Sequence, residues 1–409
     1  MRNENEQALL RNNSILDRTI WAVTSIQFLL LYIITTEENR SPVFFVCTLI
    51  ILILYLLKTG MKIYFHVGAF HLSCFMISAY CFISAFWAID SSESIAKGIT
   101  IIETTICLSF VYAYYSRFNN VDKILKGIAL AGAVIAVYTI VFFGVDSLVQ
   151  TAEAGNRLDP DFANMNSIGM VCAQAIVIAL FYFLKSKQLI YVLEMSICIV
   201  VCALSGSRKA LVMMVLGSIL ILYYKSQSKN IVKRIVKIVG ITLTLSIVFY
   251  FLLRTTLFSG VMERMNGMIN TFLGTGSTES SAVVRTLMIK RALEVFFQNP
   301  IVGIGIGNSH LVNFRDTYFH NNYVELLACG GIFGVIIYYA VYIYIIVNLI
   351  RYRKVENDQT KLIATLVVLS LMMDYGAVSY YDKVTYFFLM VFCLHIQNLK
   401  KTVRNFQES

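Results

Sequence analysis

Residues 299–350 read NPIVGIGIGNSHLVNFRDTYFHNNYVELLACGGIFGVIIYYAVYIYIIVNLI, and the change of character within this stretch decides the fold. Its last part, Val335–Ile350, is an apolar run in which Asn348 is the one strongly polar residue. Lipid offers backbone groups no hydrogen-bond partner, and a helix of about 20 residues crosses the hydrocarbon layer, so the run reads as a membrane helix. Its first part is bent by Gly303, Gly305 and Gly307 and ends on His320 at the helix mouth. A titratable imidazole beside a flexible loop is a site-like arrangement in a chain made largely of lipid-compatible residues.

The rest of the chain follows the apolar part of this pattern. Of 409 residues, 58% are hydrophobic and 14% charged, and the mean hydropathy is +0.70, whereas about a quarter of a soluble domain is charged. Runs such as Pro42–Leu57 alternate with short polar breaks. We therefore expect an all-α, polytopic integral membrane protein with about 12 transmembrane helices, forming one multi-span domain over 1–409. The expected spans are 18–35, 42–57, 64–87, 95–115, 124–143, 164–184, 189–205, 209–224, 231–253, 322–350, 362–380 and 384–399. No small-residue cleavage site follows the first run, which reads as a retained helix.

Lys and Arg set the orientation. With both termini in the cytoplasm, most of the 34 basic residues fall on inner segments, as the positive-inside rule requires. The net charge of +10 is then a topology signal and not a nucleic-acid surface. All nine cysteines lie in apolar runs without a Cys-x-x-Cys pair, so neither zinc nor a disulfide framework is expected.

On this topology two extracytoplasmic segments exceed a simple turn, 144–163 and the large loop 254–319, which is expected to carry short helices. Val284, Leu287, Met288, Ala292, Val295 and Phe296 recur at helical spacing until Pro300 stops them, describing a helix able to lie along the membrane surface. External cations gather there against the general trend: Arg157, Arg208 and Lys209 after Ser205-Gly206-Ser207, and Arg254, Arg264, Arg285, Lys290, Arg291 and Arg315. Each either snorkels or pairs locally, or faces an anionic partner such as phosphate, which suits the guanidinium fork.

The glycine ladder lacks the Gly-Lys-Ser/Thr ending of a phosphate loop, and its role reads as backbone permissiveness that bends the loop back to the membrane. Asp159-Pro160-Asp161 resembles a metal-binding Asp-x-Asp, but Pro between two Asp is ordinary turn chemistry. His310, Asp316 and His320 match no common ligand spacing. No metal or other cofactor is expected. His66, His71 and His395 sit within or beside spans as packed or interfacial residues. His320, near neutral pH, can accept a hydroxyl proton.

Taken together, Arg285, then Pro300-Ile301-x-Gly303-x-Gly305-x-Gly307-Asn308, His320-Asn321 and Gly330-Gly331-x-x-Gly334 resemble the C-terminal signature of the O-antigen ligase and polysaccharide polymerase superfamily. Ser205-Gly206-Ser207-Arg208 resembles its Ser-x-Ser-Arg helix mouth, and Arg157 with Asn164 or Asn166 and Gly169 resembles its Arg…Asn-x-x-Gly segment. The resemblance implies an enzyme of the bacterial plasma membrane whose active site is extracytoplasmic. It would transfer a glycan from a polyprenyl-pyrophosphate carrier to an acceptor hydroxyl with inversion and without metal. Arg208 and Arg285 would hold the pyrophosphate and His320 would activate the acceptor, with Arg157, Asn166, Asn308, Asn321, Arg264 and Arg291 as substrate-binding residues. Repeat-unit polymerase of a capsular or O-antigen polysaccharide is the expected function, with a chain-length regulator and a flippase as partners. The alternatives are a ligase that moves finished polymer onto lipid A-core or another acceptor, and a lipid-oligosaccharide flippase. Glu103, Glu194 and Asp374 are the mid-span charges that a transporter would use.

Overall fold

The computed structural model describes residues 15–33, 37–118, 121–153, 164–225, 232, 240, 281–353, 355 and 358–408. Among them no strand occurs. The helices are α1 (Ile15–Ile33), α2 (Glu37–Thr59), α3 (Ala69–Ser84), α4 (Ser91–Phe118), α5 (Val121–Phe143), α6 (Val145–Glu153) and α7 (Met165–Ser186). They continue with α8 (Ile190–Leu204), α9 (Arg208–Lys225), α10 (Ser281–Gln298), α11 (Asn322–Arg351), α12 (Asp358–Asp374) and α13 (Lys383–Glu408). Among the described residues six helices contain spans long and apolar enough to cross a membrane: Ile15–Tyr32, Pro42–Thr59, Ser91–Phe118, Val121–Phe143, Met165–Ser186 and Asn322–Arg351. Ala69–Ser84 and Ile190–Leu204 are apolar but shorter. The expected span 231–253 and most of the large loop lie outside the described residues.

Helix α7 is central, packing against α5, α8 and α9. It starts at an Asn164 cap whose side chain accepts from the Asn166 amide, and ends at Lys187 in the left-handed region. Small residues let its neighbours close in: a Cβ on Gly132 would fall 2.4 Å from that of Ala175, and one on Gly217 2.4 Å from Val177. Where apolar solvent gives helices little reason to associate, such close backbone approach is a main source of packing attraction.

Helix α10 occupies the stretch in which the apolar spacing predicts a helix, and it packs against α11, with Met288, Ala292 and Val295 buried. It ends before Pro300, and the chain that follows docks into a break in α11. Gly331 adopts φ 60° and ψ −163° inside that helix. A continuous helix would bond the Ile332 and Phe333 amides to the Ala328 and Cys329 carbonyls. Instead Ile332 donates to the Pro300 carbonyl at 2.9 Å and Phe333 to that of Ile301 at 3.3 Å. The carbonyls of Ala328 and Cys329 accept from Ile304 and Gly305 at 3.1 and 2.9 Å. The glycine ladder is thus more than a bend; its backbone completes the hydrogen bonding of α11.

The ladder is also fixed from the α3–α4 side. The Tyr80 hydroxyl donates to the Gly330 carbonyl at 2.6 Å, Ser94 to Ile306 at 2.7 Å, and the Ile89 amide to the Ile304 carbonyl at 3.2 Å.

Two glycines at similar φ isolate what the docking requires. A Cβ on Gly331 (φ 60°) would sit 2.3 Å from the Ile301 carbonyl oxygen, whereas Gly60 (φ 63°) has nothing within 4 Å. Gly60→Ala is expected to lose only the left-handed strain, about 1–2 kcal/mol. Gly331→Ala must also expel the loop, and is expected to lower Tm much further in thermal unfolding of the purified protein. Equal losses would contradict the docking.

Candidate active site

A cavity of about 460 Å³ opens where α7, α9 and α13 begin and α12 ends. Arg285 from α10, Lys209 from α9, Asn166 from α7, and His320 with Tyr318 from the segment before α11 all line it. Lys97, Asp374, Tyr381, Asp382 and Lys383 contribute as well.

The position of His320 follows from its neighbours. Phe319 and Asn321 on either side are buried. The Phe319 amide donates to Glu325 Oε2 at 2.8 Å, while Glu325 Oε1 accepts from the Ser309 hydroxyl. Asn321 caps α11, its side chain accepting from the Tyr323 and Val324 amides at 3.0 and 3.3 Å. Held on both sides, His320 takes φ 56°, a left-handed conformation that a non-glycine residue keeps only where its surroundings impose it. Its ring lies 4.2 Å, centroid to centroid, from that of Tyr318.

Burial, then the charges of Arg285 and Lys209, push the His320 imidazole down to about 4. It is therefore neutral at pH 7, able to accept a proton, yet a weak base while both cations stand uncompensated. Neither Arg285 nor Lys209 forms an ion pair among the described residues. The carboxylates of the cavity are engaged elsewhere. Asp374 accepts from Tyr339 at 2.8 Å and Ser379 at 2.5 Å, and Asp382 accepts from the amide and hydroxyl of Thr385, both at 3.0 Å. Two like charges facing one cavity raise the energy of the empty site, and an anion between them relieves it.

Not every residue singled out from the sequence lines this cavity. His320, Arg285 and Asn166 do. Arg208 opens α9, but Lys209 is the member of that basic pair on the cavity wall. Asn308 is buried and joins the ladder to Asp90, accepting from its amide at 2.5 Å and donating to its carbonyl at 3.1 Å. Asn321 is the α11 cap described above. Arg291 donates to the Val312 carbonyl at 3.0 Å and pairs with Glu294 at 3.1 Å, bracing α10 against the loop. Arg157, Arg264, Asp159 and Asp161 lie outside the described residues. Among the described residues no three His, Cys, Asp or Glu side chains gather as a metal site.

Residues 193–339 match the family model described as O-antigen ligase. The match supports the O-antigen ligase and polysaccharide polymerase superfamily whose motifs the sequence carries, and with it a ligase- or polymerase-type role in polysaccharide assembly. No curated protein matches the chain. The matched region holds Lys209, Arg285 and His320, whereas Lys97, Asn166, Asp374 and Asp382 of the same cavity lie outside it.

The proton affinity of His320 is directly measurable. As pH falls through 6.5 an ordinary histidine charges, and at pH 5 about 3% of it remains neutral. With its pKa held at about 4, His320 stays about 90% neutral at pH 5. Carbethoxylation needs the neutral ring, so mass spectrometry is expected to find His320 still readily modified at pH 5. Arg285→Gln is expected to shift that reactivity towards the ordinary value. Protection of His320 already at pH 6 would contradict the cationic surroundings.

Proposed function

We propose that the protein is a membrane glycosyltransferase that polymerises polyprenyl-pyrophosphate-linked oligosaccharide repeat units into a capsular or O-antigen polysaccharide, on the outer face of the bacterial plasma membrane. The observation that carries this reading is the convergence on one cavity of two cations, without carboxylate partners among the described residues, and a neutral imidazole. That set fits an anionic leaving group beside a hydroxyl nucleophile.

In this scheme Arg285 and the cationic mouth of α9, where Arg208 and Lys209 are consecutive, hold the donor pyrophosphate. The acceptor hydroxyl attacks the anomeric carbon with inversion. Its new C–O bond forms as the bond to the pyrophosphate breaks, and the bonding pair leaves on the phosphate oxygen. The hydroxyl proton passes to His320. The donor's negative charge offsets Arg285 and Lys209, so the imidazole gains proton affinity when donor is bound. Charge developing on the leaving group meets preoriented cations, and no metal is invoked. Asn166 contacts the glycan; Arg157 and Arg264, which the sequence topology assigns to the same face, lie outside the described residues. The hydrogen bonds of Asn308, Asn321 and Arg291 favour support of the loop over substrate contact.

The ligase reading shares this donor chemistry, and the description of the matched family favours it. The two differ in the acceptor, which is a lipid-linked repeat unit in one and lipid A-core or another final acceptor in the other. A deletion strain is expected to accumulate single lipid-linked repeat units. Long polymer stranded on the carrier lipid would select the ligase. Purified protein given lipid-linked repeats is expected to lengthen them without nucleotide. Transport of the lipid-linked repeats without bond formation would select the flippase reading instead. Arg285→Ala should abolish polymer in cells while the protein still inserts. His320→Ala should slow transfer on the order of 10²–10⁴-fold, and wild-type polymer length in that variant would remove the base.

A further inference from the structure

Arg208 and Lys209 are consecutive on α9, and consecutive residues of an α-helix point roughly 100° apart. The two side chains therefore leave the helix mouth in different directions. Lys209 lines the cavity wall together with Arg285 and His320, and Arg208 does not. The ammonium is close enough to be one of the two charges that act on the His320 ring, the other being Arg285.

The path of the Lys209 side chain has its own requirement. A Cβ on Gly376, in the turn after α12, would lie 2.5 Å from Lys209 Cε and 3.0 Å from both Cδ and Nζ. The lysine thus runs flat against that glycine to reach the cavity. The other charges there do not neutralise it. Asp374 and Asp382 are bonded as described, and Lys97 lies 3.7 Å from Glu93 and 4.5 Å from the centre of the Tyr381 ring.

We infer that Lys209, in place of Arg208, is the second cation holding the donor's phosphate oxygens beside Arg285, and that Gly376 is there to give it room. The inference rests on the pyrophosphate donor proposed above. A lysine suits the position because a compact ammonium on a flexible stem follows the narrow track beside Gly376, where a planar guanidinium would need a wider one.

The test is equilibrium binding of undecaprenyl pyrophosphate, with uncharged undecaprenol as control, to the full-length protein in lipid nanodiscs. Wild type is expected to bind the pyrophosphate more tightly than the alcohol. Lys209→Met should weaken pyrophosphate binding roughly 10- to 100-fold, the range for one hydrogen bond to a charged group, and leave the alcohol unchanged. Gly376→Ala should produce a smaller loss in the same direction. Without ligand, the Tm of Lys209→Met should not fall, because one of two like charges has been removed. Wild-type affinity in Lys209→Met, or a greater loss in Arg208→Met than in Lys209→Met, would overturn the assignment and leave the pyrophosphate reading intact. A wild-type protein that does not distinguish pyrophosphate from alcohol would overturn both.

Discussion

The exchange of four backbone hydrogen bonds at the break in α11 is the constraint on which the rest of the site depends. An unsatisfied buried peptide group costs roughly 1–3 kcal/mol, so four of them would match the whole net stability of a typical domain. Neither partner can be satisfied alone. The helix needs the Pro300–Gly305 backbone to close its gap, and the loop needs the opened turn at Ala328 and Cys329 for its own amides. Positive φ at Gly303, Gly305, Gly307 and Gly331 makes the mutual approach sterically possible. Once it has formed, the chain between Gly307 and Asn322 has little freedom, and His320 is carried to the cavity as a consequence.

Rigid support and electrostatic strain occupy different parts of the same site. Glu325, Asn308 and Asn321 are buried, and their hydrogen bonds hold the loop and the start of α11. Arg285, Lys209 and His320 are more open, and the positive charges oppose one another and the protonation of the ring. Such an arrangement is stable only because the first group anchors the second. It also links occupancy to chemistry on the proposed reading: the anion that relieves the cations is the one whose departure completes the reaction. His320 then gains its basicity at the step that uses it.

Apolar runs made the helical membrane architecture legible, because span length is a property of composition and needs no knowledge of packing. The helix that became α10 was readable from its 3.6-residue period and the stop at Pro300. The sequence could place Gly303 to Gly307 in a bent loop, but the partner that the bend meets lies at Gly331, and only the fold supplies that contact. Asparagine gave the least information, since Asn308 and Asn321 carry the same amide whether they cap a helix, staple a loop or bind a sugar. The choice between Arg208 and Lys209 depended on the rotation of α9 about its axis, which its first helical residue and its packing determine. Asp374 and Asp382 reach the cavity through the packing of α12 and α13, which no local pattern in the sequence shows.

The cavity also divides along the chain in a way that bears on specificity. Lys209, Arg285 and the imidazole come from residues 209–320, inside the region that matches the O-antigen ligase model, while the walls built by α12 and α13 lie beyond its end at residue 339. Donor chemistry is common to a polymerase and a ligase, because both release the same kind of lipid pyrophosphate. Acceptor recognition is where they must differ, since one receives a repeat unit and the other a finished anchor. A shared donor half can therefore persist while the opposite wall changes, provided that Gly376 keeps the track for Lys209 open. On the proposed reading the turn after α12 is thus tied to both halves: Gly376 lies against Lys209 and is itself part of the cavity wall.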